Sequence, residues 1–170
     1  GDVYKRQLLG AFEITGDTRY RDAAIRWGQE MLRLQREDGG YRMGYGITKK
    51  GEECYVADGG EIAIAIARLT SYTEGTERQR FVDSLQAYMG YRESFREQNG
   101  AIGVGWCLQD YSKRPIVPLE TPTRIYAGEQ NTYTIGCTLA AACAYAKITG
   151  RPEDLQMALR DTEWLLSHYK

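Results

Sequence analysis

The chain has 170 residues, enough for one domain with a core of its own. Its 22 Lys and Arg against 23 Asp and Glu leave a net charge of −1, which supplies neither the basic footprint that nucleic acid needs nor a polybasic membrane patch. No run of about 18 apolar residues is present, so no membrane-spanning helix is expected.

The first seven residues, Gly1-Asp2-Val3-Tyr4-Lys5-Arg6-Gln7, resemble the translated sequencing-adapter scar that heads gene fragments assembled from environmental DNA, so the native domain is expected over 8–170. The chain has no initiator Met, and it starts and stops inside helix-like runs, which reads as a fragment. A short helix is expected over Gln7–Ile14. A second, Arg19–Arg36, places Ala23, Ala24, Trp27, Met31 and Leu34 on one face at helical spacing. A glycine- and tyrosine-rich loop, Asp38–Gly59, follows. The third helix, Gly60–Tyr72, is apolar almost all round and therefore buried on most sides. The fourth, Glu77–Glu97, sets Phe81, Leu85, Tyr88 and Met89 against a charged face. A second long loop, Asn99 to about Gln130, holds Pro115, Pro118 and Pro122. The fifth helix, Thr132–Ile148, is rich in Ala, Cys, Gly and Thr. The sixth, Pro152–Tyr169, opens with Pro, Glu153 and Asp154, and its expected buried face is Leu155, Ala158, Leu159, Thr162, Leu165 and Leu166.

These elements repeat. An apolar helix ends in a short Thr/Gly turn and an amphipathic helix follows, in hairpins over about 8–36, 60–97 and 132–169. One such hairpin cannot bury its own apolar face, so the three are expected to stack, apolar helices inside and amphipathic helices outside. The loops between hairpins are long, yet rich in Tyr, Trp and Gly, which argues for function rather than disorder.

The whole pattern resembles the α/α-toroid, the six-hairpin architecture of many glycoside hydrolases, polysaccharide lyases, terpene cyclases and prenyltransferases. The resemblance implies an all-α fold in which this chain supplies about three hairpins, with the remainder of the toroid as a partner. A second repeat adds detail. Gln35-Arg36-Glu37-Asp38-Gly39-Gly40-Tyr41 and Arg96-Glu97-Gln98-Asn99-Gly100-Ala101-Ile102 each put Asp-Gly or Asn-Gly just past an outer helix, as a left-handed helix stop requires. The first looks like the Gln-x-x-x-Gly-x-Trp signature of triterpene cyclases with Tyr41 in place of Trp; the second departs from it at Arg96 and Ile102.

In such an arc the long loops gather at one end, with carboxylates among aromatic rings. That combination suits a sugar site, because one carboxylic acid protonates the leaving oxygen while another activates water or attacks the anomeric carbon. The catalytic candidates are Asp58, Glu61, Glu53 and Glu129. The substrate-binding candidates are Tyr41, Tyr45, Tyr55, Trp106, Tyr126, Arg124 and Gln130. Each has a plain counterpart: Asp58 as cap of the third helix, Glu61 as a dipole partner in its first turn, Trp106 as core, Arg124 as a solvated cation rather than a holder of uronate or sulfate. The expected function is glycoside hydrolysis on an oligo- or polysaccharide without a cofactor. The alternatives are a terpene cyclase- or prenyltransferase-like toroid and a non-catalytic helical-repeat binding module. Cys54, Cys107, Cys137 and Cys143 fit no zinc spacing, so no metal is expected, and a disulfide between Cys54 and Cys107 stays open. Nothing in the sequence fixes a compartment.

Overall fold

The computed structural model describes residues 3–42, 53–110, 113, 115–126 and 131–168. Among them six helices and three strands follow in the order α1 (Val3–Thr15), α2 (Thr18–Leu34), β1 (Cys54–Tyr55), α3 (Val56–Leu69), α4 (Gly75–Glu93), β2 (Gly105–Asp110), β3 (Val117–Ile125), α5 (Asn131–Thr149) and α6 (Pro152–His168). The three helical hairpins are present. The all-α expectation is corrected, however, because the two long loops meet in a three-stranded antiparallel sheet of order β1-β2-β3. The prolines at 118 and 122 point away from a strand in the sequence, but β3 is an edge strand, where missing backbone N–H groups cost little. Helix α1 runs back to Val3, into the adapter-like segment.

Each hairpin turn is closed by local hydrogen bonds. Gly16 N donates to Phe12 O at 2.8 Å, Gly150 N donates to Ala146 O at 2.8 Å, and Asp17 caps α2 by accepting from Arg19 N at 3.0 Å. Helix α3 buries ten of its fourteen residues, as its apolar composition requires. It approaches α5 so closely that a Cβ on Gly60 would lie 2.7 Å from Cys137 O, and it approaches α4 so closely that one on Gly59 would lie 2.6 Å from the Tyr88 ring. Gly28 does the same for α2, with Leu69 Cδ1 2.3 Å from where its Cβ would stand. The core gathered at these contacts includes Ile66, Leu69, Phe81, Leu85, Tyr88, Ile135 and Tyr145, each about 1.5–3 kcal/mol of apolar burial.

The repeated loop after each outer helix has a mechanical role. Gly39 (φ +91°) and Gly100 (φ +88°) turn the chain back, bridging Gln35 to Tyr41 and Arg96 to Ile102. Asp38 Oδ1 accepts from Gly40 N at 3.2 Å, and Asn99 Oδ1 accepts from Ala101 N at 2.9 Å. Gln35 Nε2 donates to Gly39 O at 2.9 Å, and Arg96 Nη1 donates to Gly100 O at 2.8 Å. Both side chains then reach the outer helix of the following hairpin, Gln35 at Ser84 O (3.0 Å) and Arg96 at Asp161 Oδ1 (2.6 Å). Gly39 backs onto Ala87 of α4, and Gly100 onto Trp164 of α6. The loops latch one hairpin to the next.

Helix α6 corrects the expected buried face. Leu155, Leu159 and Leu166 are exposed, and the face turned inward is Asp154, Ala158, Asp161 and Leu165, at the same helical spacing but rotated. Two acids are tolerated there because each is paired. Asp154 accepts from Thr149 Oγ1 at 2.6 Å and Arg151 Nε at 2.8 Å. Asp161, fully buried, accepts from Arg92 Nη2 and Arg96 Nη2, and the equally buried Arg92 also donates to Thr138 Oγ1 at 3.1 Å and to Glu93 at 3.0 Å.

Candidate functional site

An aromatic ladder carries order from the core to the sheet. Tyr41, Tyr88, Tyr91, Phe95 and Tyr126 follow one another with ring centroids 5.5, 6.4, 5.2 and 5.5 Å apart. Two rungs fix the start of α3: Tyr88 Oη donates to Val56 O at 2.6 Å, and Tyr91 Oη donates to Cys54 O. Burial pushes both phenols far above their ordinary range, so they remain neutral donors. With Val56 N donating to Val104 O at 2.9 Å, β1 runs directly into α3.

That junction places the first candidates. The helix starts at Val56, earlier than expected, so Tyr55 takes the cap position without a side-chain bond and Asp58 lies inside the first turn. The expected Asp58 cap is therefore corrected. A carboxylate there is favoured by the helix dipole. Asp58 and Glu61 stand three residues apart and share one face of α3. Opposite them on α5 are Tyr133 and Cys137, four apart on one face, with Cys137 at the close approach of α5 to Gly60 of α3. The Cys137 thiol is raised by burial first and then by the charges of Glu61 and Asp58. The Tyr133 phenol is raised first by the neighbouring Cys137, with Asp58 and Glu61 adding to the effect. Both carboxylates thus act on the same pair across the α3–α5 contact. Tyr133 is 59% exposed, so this cluster opens to solvent.

A second group forms on the sheet. The register aligns Cys54, Trp106 and Arg124 across the three strands, so they share one face. The Trp106 indole donates to Asp38 Oδ2 at 3.2 Å, and Arg36, 3.2 Å from Asp38 Oδ1, lies 5.3 Å from the indole centroid. The Arg124 guanidinium lies 4.4 Å from the Phe95 ring centroid, 5.2 Å from that of Tyr126 and 5.7 Å from that of Trp106, while its Nη2 donates to Ser94 O at 2.9 Å. Arg124 is thus stacked among rings rather than solvated.

The remaining candidates separate. Glu53 ties the sheet together: its Oε1 accepts from Leu108 N at 3.1 Å and from Tyr55 Oη at 3.0 Å, which also accounts for Tyr55. Tyr41 is corrected from substrate contact to core, being 2% exposed with its hydroxyl 2.8 Å from Ser84 Oγ. Glu129, Gln130 and Tyr45 lie outside the described residues. Cys54 and Cys107 are both free thiols, and strand alternation puts them on opposite faces of the sheet, which removes the expected disulfide option. Burial, then Glu53, pushes the Cys107 thiol up to about 12. Sequence reasoning did not pair Arg36 and Phe95 with the platform, nor Cys137 with the carboxylates. The i, i+4 spacing of Tyr133 and Cys137 was the available signal.

Among the described residues no group of His, Cys, Asp and Glu is arranged to hold a metal ion, and no helix is long and apolar enough to cross a membrane. No protein-family model, curated protein or solved structure matches the chain.

Proposed function

We propose that this chain is part of a sugar-processing α/α-toroid that hydrolyses a glycan by carboxylate acid/base chemistry at the start of α3. The observation that carries this reading is the shared face of Asp58 and Glu61, opposed by Tyr133 and Cys137 at a solvent-open position. Residues three apart on a helix have Cβ atoms about 5–6 Å from one another, a spacing from which two carboxyl groups can reach the ~5–5.5 Å separation used by retaining glycosidases. In this reading one of the two protonates the departing glycosidic oxygen as the other attacks the anomeric carbon to form a glycosyl ester; the first, now a carboxylate, then takes a proton from the water that cleaves that ester, while Tyr133 orients a sugar hydroxyl. Trp106, Tyr126 and Arg124 form an aromatic wall for sugar faces, and the Arg124 charge favours a glycan bearing a carboxylate or sulfate. Glu129 and Gln130, just before α5 in sequence, and Tyr45 are kept as further contacts.

The test is recovery of the full-length gene and a screen of a glycan panel with wild type, Asp58→Asn and Glu61→Gln. Cleavage that falls at least about a hundredfold in either variant supports the reading. Cleavage unaffected by both refutes it. A non-catalytic glycan-binding repeat is the second reading, favoured by the capture of the Glu53 carboxylate in the sheet; it expects binding without turnover in every variant.

A further inference from the structure

A groove of about 520 Å³ opens at the C-terminal ends of α3 and α5, beside the first turn of α4. Its size falls within the usual range for small-molecule sites. Its floor is apolar: Ile64, Ala67, Ala144 and Ile148. Its rim is cationic, with Arg68, Arg78 and Lys147, and Thr70 and Ser71 complete the lining. Acids are missing from the lining. Arg68 is engaged by Glu13 and so contributes little net charge. Arg78 and Lys147 make no ion pair with any described residue, and they approach from different helices.

Helix electrostatics explains only part of this. Arg68 and Lys147 sit in the last turns of α3 and α5, where the negative helix end favours a cation. Arg78 is the fourth residue of α4, where the positive end disfavours one. Glu74 and Glu77 in the same turn offset that cost, yet neither forms an ion pair with Arg78. A groove of this lining suits an oxyanion, since an arginine and a lysine from different helices supply charge-assisted donors at its rim.

We propose that this groove binds a small molecule that carries a phosphate, sulfate or carboxylate on an apolar body, the anion between Arg78 and Lys147 and the body on the Ile64 and Ile148 floor. The site is separate from the carboxylate cluster and does not rest on the glycan reading. Phenyl phosphate is the probe, with phenol and inorganic phosphate as the two partial ligands, each followed by calorimetric titration of the intact chain. Saturable phenyl phosphate binding is expected, about tenfold tighter than either partial ligand and weakened about tenfold by Arg78→Ala and by Lys147→Ala, with Arg78→Lys retaining most of it. Both alanine positions are exposed, so the variants should fold, which circular dichroism verifies. Tighter binding of inorganic phosphate than of phenyl phosphate, unchanged binding in both alanine variants, or no saturation up to about 10 mM would overturn the proposal.

Discussion

Replacing Asp161 by Asn should cost more stability than any surface change in this chain. Its carboxylate is fully buried between α4 and α6 and takes hydrogen bonds from Arg92 and Arg96. The substitution leaves the Arg92 guanidinium, itself fully buried, with only Glu93 as counter-charge and Thr138 as neutral acceptor. Removing one member of a buried ion pair costs about 3–5 kcal/mol. The surviving Glu93 contact offsets part of that, so we expect about 3 kcal/mol. In a protein of this size each kcal/mol moves Tm by about 2–4 °C, so Asp161→Asn should melt about 6–12 °C below wild type by differential scanning calorimetry. The double variant Arg92→Met/Asp161→Leu supplies the control, because it removes both charges and should recover most of the loss. A shift below about 2 °C for Asp161→Asn, or a double variant no better than the single one, would refute the view of this seam as a buried, energetically coupled network.

Four further outcomes follow from the geometry. Gly39→Ala should destabilise more than Gly100→Ala in urea unfolding. Both positions have positive φ, but the new methyl at 39 meets backbone (Ala87 O at 2.1 Å) whereas at 100 it meets the side chain of Trp164 at 2.8 Å. Tyr41→Phe should lose about 1 kcal/mol of stability while leaving glycan binding unchanged; a binding defect with intact stability would restore Tyr41 to the site. For Glu93, burial alone would raise the carboxyl, but the Arg96 hydrogen bond and the charges of Arg92, Arg96 and Arg160 outweigh it and hold the pKa below the ordinary 4.5. Its stabilisation is therefore complete above the unfolded value and lost as pH falls through the depressed folded one, so urea midpoints taken from about pH 6 to about pH 3 should drop less in Glu93→Gln than in wild type. Under native conditions a thiol reagent should label the exposed Cys143 first and leave Cys54 and Cys107 unmodified until the chain unfolds; a Cys54–Cys107 disulfide found by mass spectrometry would contradict the strand register.

The hairpins were readable because helical periodicity is a local signal. Phe81, Leu85, Tyr88 and Met89 advertise a buried face, and all four are buried. The failures share a cause. On α6 the leucines at 155, 159 and 166 outweigh Asp154 and Asp161 in any hydrophobic count, but the acids are inside because Arg151, Arg92 and Arg96 meet them there, and those partners lie on other elements or turns. The sheet was hidden for a similar reason: β1 has two residues and β3 carries prolines, so neither shows alternation strong enough to read alone. At the candidate site the identities of Asp58, Glu61, Trp106 and Arg124 were legible and their company was not. Tyr41 looks like a sugar platform because it follows two glycines, and contacts from another hairpin, with Ser84 and the Tyr88 ring, make it core.

The latch loops face one way along the chain. Gln35 grips a carbonyl 49 residues later, and Arg96 a carboxylate 65 residues later. During synthesis the first hairpin therefore stays unsealed until α4 has left the ribosome, and the second until α6 has. Each of the first two hairpins is finished by the one after it, so their assembly carries a built-in delay of one hairpin and proceeds in the order of translation.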